Sequence, residues 1–168
     1  MAMTNDFLAA TTTVDAPVQT VFDVLADPTT HAAIDGTGWV GRPRSDKPLT
    51  GSGQIFRMAM YHENHPDQHY ETANRVEVFE PPRAVAWKTG SAPGRPTSLG
   101  AADDELTYGG WIWRYDLAPI DDDRTDVTLT YDWSAVPSEV RELIGFPMFE
   151  PSHLDNSLRH LAGLAESR

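Results

Sequence analysis

The densest group of potential metal ligands lies between His62 and His69. These eight residues hold three histidines and two carboxylates, which are side chains that bind transition metals. The run lacks the His-Glu-x-x-His spacing that would place two imidazoles on one face of a helix, and Pro66 interrupts it. The pattern therefore favours a solvated turn between two strands, and we predict neither a metal nor another cofactor.

Nucleophilic catalysis finds little support in the sequence. The chain has no cysteine, which excludes thiol chemistry, disulfides and cysteine-ligated metals. No nucleophile elbow places a serine between a strand and a helix. Gly36 and Gly38 follow a helical pattern and lack the lysine of a phosphate-binding loop. For general acid or base chemistry the candidates are Tyr70, Asn74 and His153.

Aromatic side chains alternate with smaller or polar residues along several segments. A period of two places such residues on one face of a sheet, where each ring buries about 150–250 Å². The alternating residues are Trp87, Trp111, Trp113, Tyr115, Tyr131 and Trp133. Most of them are expected in the core, and a few that line a pocket would form a flat apolar surface with polar handles.

One polar side chain stands out among these strands. Asn74 shares a predicted face with Tyr70, Thr72, Val76 and Val78. A buried amide must find a partner, which is either a ligand oxygen or a group within the protein. We predict the following ligand-binding residues: Met58, Tyr70, Asn74, Trp87, Trp113, Tyr131, Leu154 and Leu158.

The periodicity of the chain predicts the elements that position these residues. The predicted strands are 7–14, 39–44, 54–61, 68–79, 84–89, 106–120 and 127–133. Two short helices follow the first strand, with Asp15 as the expected N-cap of the first and Asp27 at the break before the second. A short helix follows Ser138, and Ser152 is the expected N-cap of the last helix. The apolar stripe of the last helix is Leu154, Leu158, Leu161 and Ala165.

These elements predict an α+β domain of the helix-grip type over residues 1–168. Strands joined by short turns favour an antiparallel sheet, here of about six to seven strands, with the first strand paired to the segment 106–134. The sheet curves around the long C-terminal helix, and its twist leaves an apolar cavity between the two layers. We expect the segment 90–105, rich in glycine, proline and serine, to be the most mobile internal loop. Whether it gates the cavity stays open.

The composition of the chain limits the classes of partner that it is expected to bind. The chain of 168 residues carries a formal net charge of −12. Nucleic acids and anionic membranes would both repel such a surface. No segment has the length and hydropathy of a membrane span, and residues 1–6 lack the apolar core of a signal peptide. We therefore expect a cytoplasmic protein with an apolar or aromatic small-molecule ligand and no nucleic-acid partner, and a homodimer stays open.

The order of elements and several segments resemble the START-like superfamily (SRPBCC), also described as polyketide cyclase/dehydrase and lipid transport. Residues 15–17 and 21–28 are similar to its opening strand-to-helix step. His31 with residues 34–38 resembles a version common in actinobacterial members. Residues 74–83 with Trp87, and residues 156–161, resemble its long strand, return strand and closing helix.

The resemblance implies a cavity that binds apolar small molecules. It implies no particular catalytic residue, because these vary among members. The leading interpretation is binding of a hydrophobic or aromatic small molecule between the sheet and the C-terminal helix. A polyketide cyclase- or dehydratase-like enzyme and a protein–protein interaction module are the alternatives. A titratable pair within hydrogen-bond reach would favour the enzyme, and a large exposed apolar patch would favour the interaction module.

Overall fold

The computed structural model describes residues 6–36, 38–45, 47–61, 69–91, 107–143 and 150–168. The described residues form seven strands: β1 Phe7–Val14, β2 Val40–Pro43, β3 Ile55–Tyr61, β4 His69–Glu80, β5 Ala84–Ser91, β6 Thr107–Asp121 and β7 Arg124–Asp132. They also form four α-helices: α1 Val18–Leu25, α2 His31–Asp35, α3 Ser138–Leu143 and α4 Ser152–Glu166. A short 3₁₀ helix, Pro28–Thr30, precedes α2.

All seven strands pair antiparallel in one sheet with the order β1-β7-β6-β5-β4-β3-β2. The predicted pairing of the first strand is confirmed, since Phe7 lies opposite Asp132 and Val14 lies opposite Thr125. Strands β2 to β7 are neighbours in chain order, and β1 pairs with β7 at the edge of the sheet opposite β2. The predicted helix-grip architecture is therefore confirmed.

Alternation along β7 defines the inner face of the sheet. Val127, Leu129, Tyr131 and Trp133 are buried, whereas the residues between them are partly exposed. Side chains two residues apart point to the same face of a strand, so this row faces the helices. The row continues onto β6, where Tyr115 lies opposite Leu129 and is also buried.

Helix α4 covers the inner face on the side of β1 and β7. Its predicted stripe is fully buried, with Leu154, Leu158, Leu161 and Ala165 each at most 1% exposed. The stripe packs with α1, α2 and β1, as the spacing of an amphipathic helix requires. None of the helices in the described ranges has the length and hydropathy needed to cross a membrane.

Two predicted helix caps are wrong. Pro17 occupies the N-cap position of α1, and Pro151 occupies that of α4, so neither Asp15 nor Ser152 caps its helix through a side chain. The backbone N–H of Asp15 instead donates to Glu166 Oε2 at 3.0 Å, which ties the start of the chain to the end of α4. Asp27 does cap the 3₁₀ helix, because its Oδ1 accepts from the Thr29 N–H.

A bulge in β4 corrects the predicted face of that strand. Val76 lies opposite Trp87, but the next paired residue, Val78, lies opposite Ala86, so the register shifts between them. An extra residue reverses the alternation that follows it. Phe79, not Val78, therefore reaches the inner face, where its ring packs edge-on against Phe22 at 5.4 Å.

The packing of α4 yields a stability prediction. Leu161→Ala should lower the free energy of unfolding by about 2–5 kcal/mol, because it removes a fully buried side chain and leaves a cavity. Leu164→Ala, on the same helix but only partly buried, should cost less. Urea denaturation measures both variants, and equal losses would contradict the predicted orientation of α4.

Candidate functional site

Three neighbouring strands bring the predicted aromatic residues together. Trp113 lies opposite Trp87 on β5 and opposite Tyr131 on β7. Directly opposed residues in an antiparallel pair point to the same face. The rings of Trp113 and Tyr131 are 4.4 Å apart between centroids, and Tyr131 also contacts Trp133 at 5.7 Å. An aromatic row thus crosses the inner face beside the end of α4 that carries His153.

The eight predicted ligand-binding residues differ in their exposure. Met58, Tyr131, Leu154 and Leu158 are at most 3% exposed and pack inside the protein. Asn74 is also buried, whereas Tyr70, Trp87 and Trp113 are partly buried. The partly buried residues mark the part of the inner face that the described helices leave most accessible.

The Asn74 amide finds its partners within the protein. Its Oδ1 accepts from the Thr89 hydroxyl at 3.0 Å, and its Nδ2 lies 3.4 Å from the Phe56 carbonyl and from Thr72 Oγ1. Strand β4 lies between β3 and β5, so the amide links three strands. This arrangement supports the structural role for Asn74 that the sequence left open.

His31 lies at the centre of a second ring cluster. It is buried, its Nε2 donates to the Leu25 carbonyl at 2.9 Å, and its imidazole stacks on Trp87 at 5.0 Å with 13° between the planes. Phe56 meets both rings edge-on at 5.7 Å. Burial lowers the pKa of His31, against smaller opposing effects of the Leu25 carbonyl and Asp27. The neutral imidazole therefore acts as a flat apolar wall behind Trp87.

A carboxylate and an imidazole meet where α2 approaches α4. His153 Nε2 lies 3.4 Å from Asp35 Oδ1, and their side chains are 11% and 14% exposed. The His153 ring lies 6.2 Å from that of Trp113 and 6.4 Å from that of Trp39. An acid–base site would contain a titratable pair of this kind, and a purely apolar binding site would lack one.

The end of α2 is fixed by a second histidine of α4. His160 Nδ1 donates to the Ile34 carbonyl at 2.9 Å. His153 and His160 are seven residues apart, so both lie on the helix face that meets α2. Gly36 ends α2 at φ +71°, and any Cβ there would collide with the His160 ring. Glycine at this position therefore allows α2 and α4 to approach.

The electrostatics of the pair reflect its burial. Burial lowers the pKa of His153, Asp35 raises it, and His160 lowers it. Burial, and to a smaller degree Asp35, raise the pKa of the Tyr115 hydroxyl. The Asp35 carboxylate therefore raises the pKa of both the His153 imidazole and the Tyr115 hydroxyl.

A separate open groove of about 410 Å³ lies beside α1. Phe22, Leu49 and Phe79 contribute apolar surface, and Asp23 and Asp27 are also among its lining residues. None of the eight predicted ligand-binding residues lines this groove, so it is a different feature from the aromatic face.

The predicted metal-ligand cluster lies mostly outside the described residues. His69 begins β4, and residues 62–68 are outside the described ranges. Within those ranges, no three His, Asp or Glu side chains gather as a metal site would require. Residues 92–105 of the predicted mobile loop are also outside them.

Sequence reasoning missed three members of the site. The sequence pattern placed Asp35 and His31 in segments that carry a family resemblance and Trp39 in a strand, and it gave none of the three a role at a site. Two signals were available: His31 and Asp35 are four residues apart on one short helix, and His153 and His160 are seven apart on another. No local sequence pattern predicts that the two helices bring His153 into contact with Asp35.

Comparison with known proteins agrees with this architecture. No family model and no curated protein sequence matches the chain. Among solved structures, the Zhui aromatase/cyclase from Streptomyces sp. R1128 has 20% identity and a TM-score of 0.62, over 96% of this chain and 94% of that one. Norcoclaurine synthase from Thalictrum flavum, a point mutant with a transition-state analogue, has 14% identity and a TM-score of 0.63, over 99% and 98%.

A third similar structure is protein Ms6760 from Mycobacterium smegmatis. It has 15% identity and a TM-score of 0.63, over 97% of this chain and 92% of that one. Identities this low show the fold alone. The chain therefore has the helix-grip fold, as its sequence pattern predicted.

The network around Asn74 yields a prediction. Asn74→Ala should lower the melting temperature of the ligand-free protein, because the Thr89 hydroxyl loses its acceptor and a cavity opens between three strands. Thr11→Ala, which removes an exposed hydroxyl pair with Thr128, is the control and should change the melting temperature little. Calorimetry checks both, and an unchanged melting temperature for Asn74→Ala would assign the amide to a ligand instead.

The buried His31 yields a pH prediction. Its ordinary pKa is 6.5 and folding lowers it, so the unfolded chain takes up a proton first as the pH falls. Stability should therefore decrease from pH 7 to pH 5, by at most about 1.4 kcal/mol per pH unit for one proton. His31→Gln should flatten this slope, and the exposed His69→Gln should not. Identical slopes in all three proteins would contradict the assignment.

Proposed function

We propose that the protein binds a hydrophobic or aromatic small molecule between the inner face of its sheet and α4. The observation that carries this proposal is the row of partly buried aromatic side chains beside α4. In a solid core such large side chains would be closed off from solvent, as those of Tyr131 and Leu158 are. Trp113 and Trp87 instead keep part of their surface accessible.

The ligand should meet Trp113, Trp87 and Tyr70, with Trp39 and His153 at the α4 side. Met58, Tyr131, Leu154 and Leu158 support these residues from within the packed protein and limit the depth of the site. Flat indole rings favour planar partners through offset or edge contacts. The Tyr70 hydroxyl supplies a polar handle for a ligand oxygen.

The negative net charge of the protein disfavours anionic ligands. The net charge of −12 creates a field that opposes the approach of anions. A neutral planar or elongated molecule with one or two oxygens therefore suits the site best.

An enzyme of the cyclase or dehydratase kind is the second candidate. The observation that favours it is the His153–Asp35 contact beside the aromatic row. Two proteins with this fold are named as an aromatase/cyclase and as a synthase, which is an analogy of fold and carries no residue assignment. Proton transfer at His153 would be the first requirement of such an activity.

An interaction module finds less support. The exposed large apolar side chains of the described part of the chain are Phe7, Tyr61 and Ile120. Phe7 lies opposite the last residue of β7, whereas Ile120 lies beside the turn that begins β7. These positions are about eight strand residues, or roughly 26 Å, apart, so the two side chains do not form one patch.

Ligand binding can be tested by tryptophan fluorescence with a neutral probe. Titration with N-phenyl-1-naphthylamine should quench the emission of the protein saturably. Trp113→Ala should raise the dissociation constant about tenfold, because a stacking surface is lost. The matched control is Asp122→Ala, an exposed change in the β6–β7 turn, which should leave the dissociation constant unchanged.

The outcome must be read with the melting temperatures of both variants, since Trp113 also packs on Tyr131. A folded wild type that shows no saturable quenching with neutral aromatic probes would remove the ligand-binding proposal.

A further inference from the structure

We propose that His153, oriented by Asp35, accepts a proton or hydrogen bond from an ionisable hydroxyl group of the bound aromatic ligand. The inference rests on the proposed function, because the ligand must first occupy the aromatic face. It goes further by naming the ligand class, which is a neutral phenol or enol, and the residue that recognises it.

The first support is the placement of the pair. His153 Nε2 and Asp35 Oδ1 are 3.4 Å apart, and both side chains keep a small exposed fraction. The His153 ring lies within 6.4 Å of the Trp39 and Trp113 rings. A planar ligand that contacts Trp113 would thus have a substituent on its edge within reach of the imidazole.

The second support is the choice of tautomer. An anionic oxygen favours a proton on the imidazole nitrogen that faces it, which here is Nε2. The neutral ring then carries its basic lone pair on Nδ1. A carboxylate that orients an imidazole in this way also stabilises the cation that forms when the imidazole is protonated.

The third support is electrostatic. Burial lowers the pKa of His153 and His160 lowers it further, whereas Asp35 opposes both. A net lowering keeps the ring neutral near pH 7, so that one ring nitrogen carries a lone pair able to accept a hydrogen bond. The charged and titratable groups that act on His153 are Asp35 on α2 and His160 on α4, and Asp35 also contributes to the raised pKa of the Tyr115 hydroxyl on β6.

The proton transfer is simple to balance. The O–H bond of the ligand breaks, its electron pair stays on the ligand oxygen, and the proton forms a new N–H bond at Nδ1. The resulting imidazolium faces the Asp35 carboxylate, and the ligand carries the negative charge as a phenolate or enolate. Return of the proton restores both partners, and no further reactant is needed.

The experiment uses two probes that differ in this one feature. 2-Naphthol can donate its hydroxyl proton, whereas 2-methoxynaphthalene has the same rings and no such proton. Calorimetric titration at pH 7 should show that wild-type protein prefers 2-naphthol on the order of tenfold, as a strengthened hydrogen bond would give.

Three variants localise the preference. His153→Gln should abolish the preference for 2-naphthol, because the acceptor nitrogen is lost, and the melting temperature of this variant, measured beside the titration, shows whether it is folded. Asp35→Asn should reduce the preference, because the imidazole loses its orienting charge. His69→Gln, which removes an exposed histidine of β4, should leave it unchanged.

Fluorescence gives a readout that a structural role would not alter. 2-Naphthol becomes a strong acid when excited, and its anion emits at a longer wavelength. With excitation beyond tryptophan absorption, the wild-type complex should emit from the anion, and the His153→Gln complex should emit mainly from the neutral form.

Two results would overturn the proposal and are distinguishable. If both probes bind the wild type equally and anion emission is the same in His153→Gln, His153 is not the acceptor, and the proposed function stands. If neither probe binds saturably, the proposed function fails, and the proton acceptor fails with it.

Discussion

One helix cannot cover a sheet of seven strands, and the rest of the structure follows from this constraint. Strands about 4.8 Å apart make a sheet roughly 29 Å wide, whereas a helix with its side chains is about 10–12 Å across. Helix α4 therefore seals the side of β1 and β7, and α1 and α2 pack beside it. The inner face around Trp113 and Tyr70 keeps accessible surface, and the proposed ligand would supply the missing packing contacts there.

The outer face of the sheet carries charged side chains where the inner face carries aromatic rings. There Glu71 lies 3.4 Å from Arg57 and 3.6 Å from Arg44, and the Lys88 ammonium lies 2.6 Å from Glu77. The Lys88–Glu77 pair keeps about a quarter of each side chain exposed to water, which screens it, whereas the buried Glu71 carboxylate is compensated by its two arginines. The separation of a charged outer face from an aromatic inner face would direct the proposed apolar ligand to one side of the sheet.

Periodic features of the chain were predictable, and contacts between distant segments were not. The alternation of Leu129 with Tyr131 and the spacing of Leu154 and Leu158 repeat over many residues, so the strand, the helix and their buried faces follow directly. The β4 bulge depends on a single residue, and it moved Val78 off the predicted face. The contact of His153 with Asp35 joins two helices at opposite ends of the sequence, and only the closed fold brings them together.

The candidate site and the stability of the fold share the same contacts. Helix α2 has five residues, too few to be stable alone, and its position depends on what it touches. His31 attaches its start to the Leu25 carbonyl, and His160 attaches its end to the Ile34 carbonyl. Asp35 is thus placed by two imidazoles that do not themselves need to meet a ligand. Because α4 supplies both His160 and His153, the helix that closes the hydrophobic core also sets the distance between His153 and Asp35.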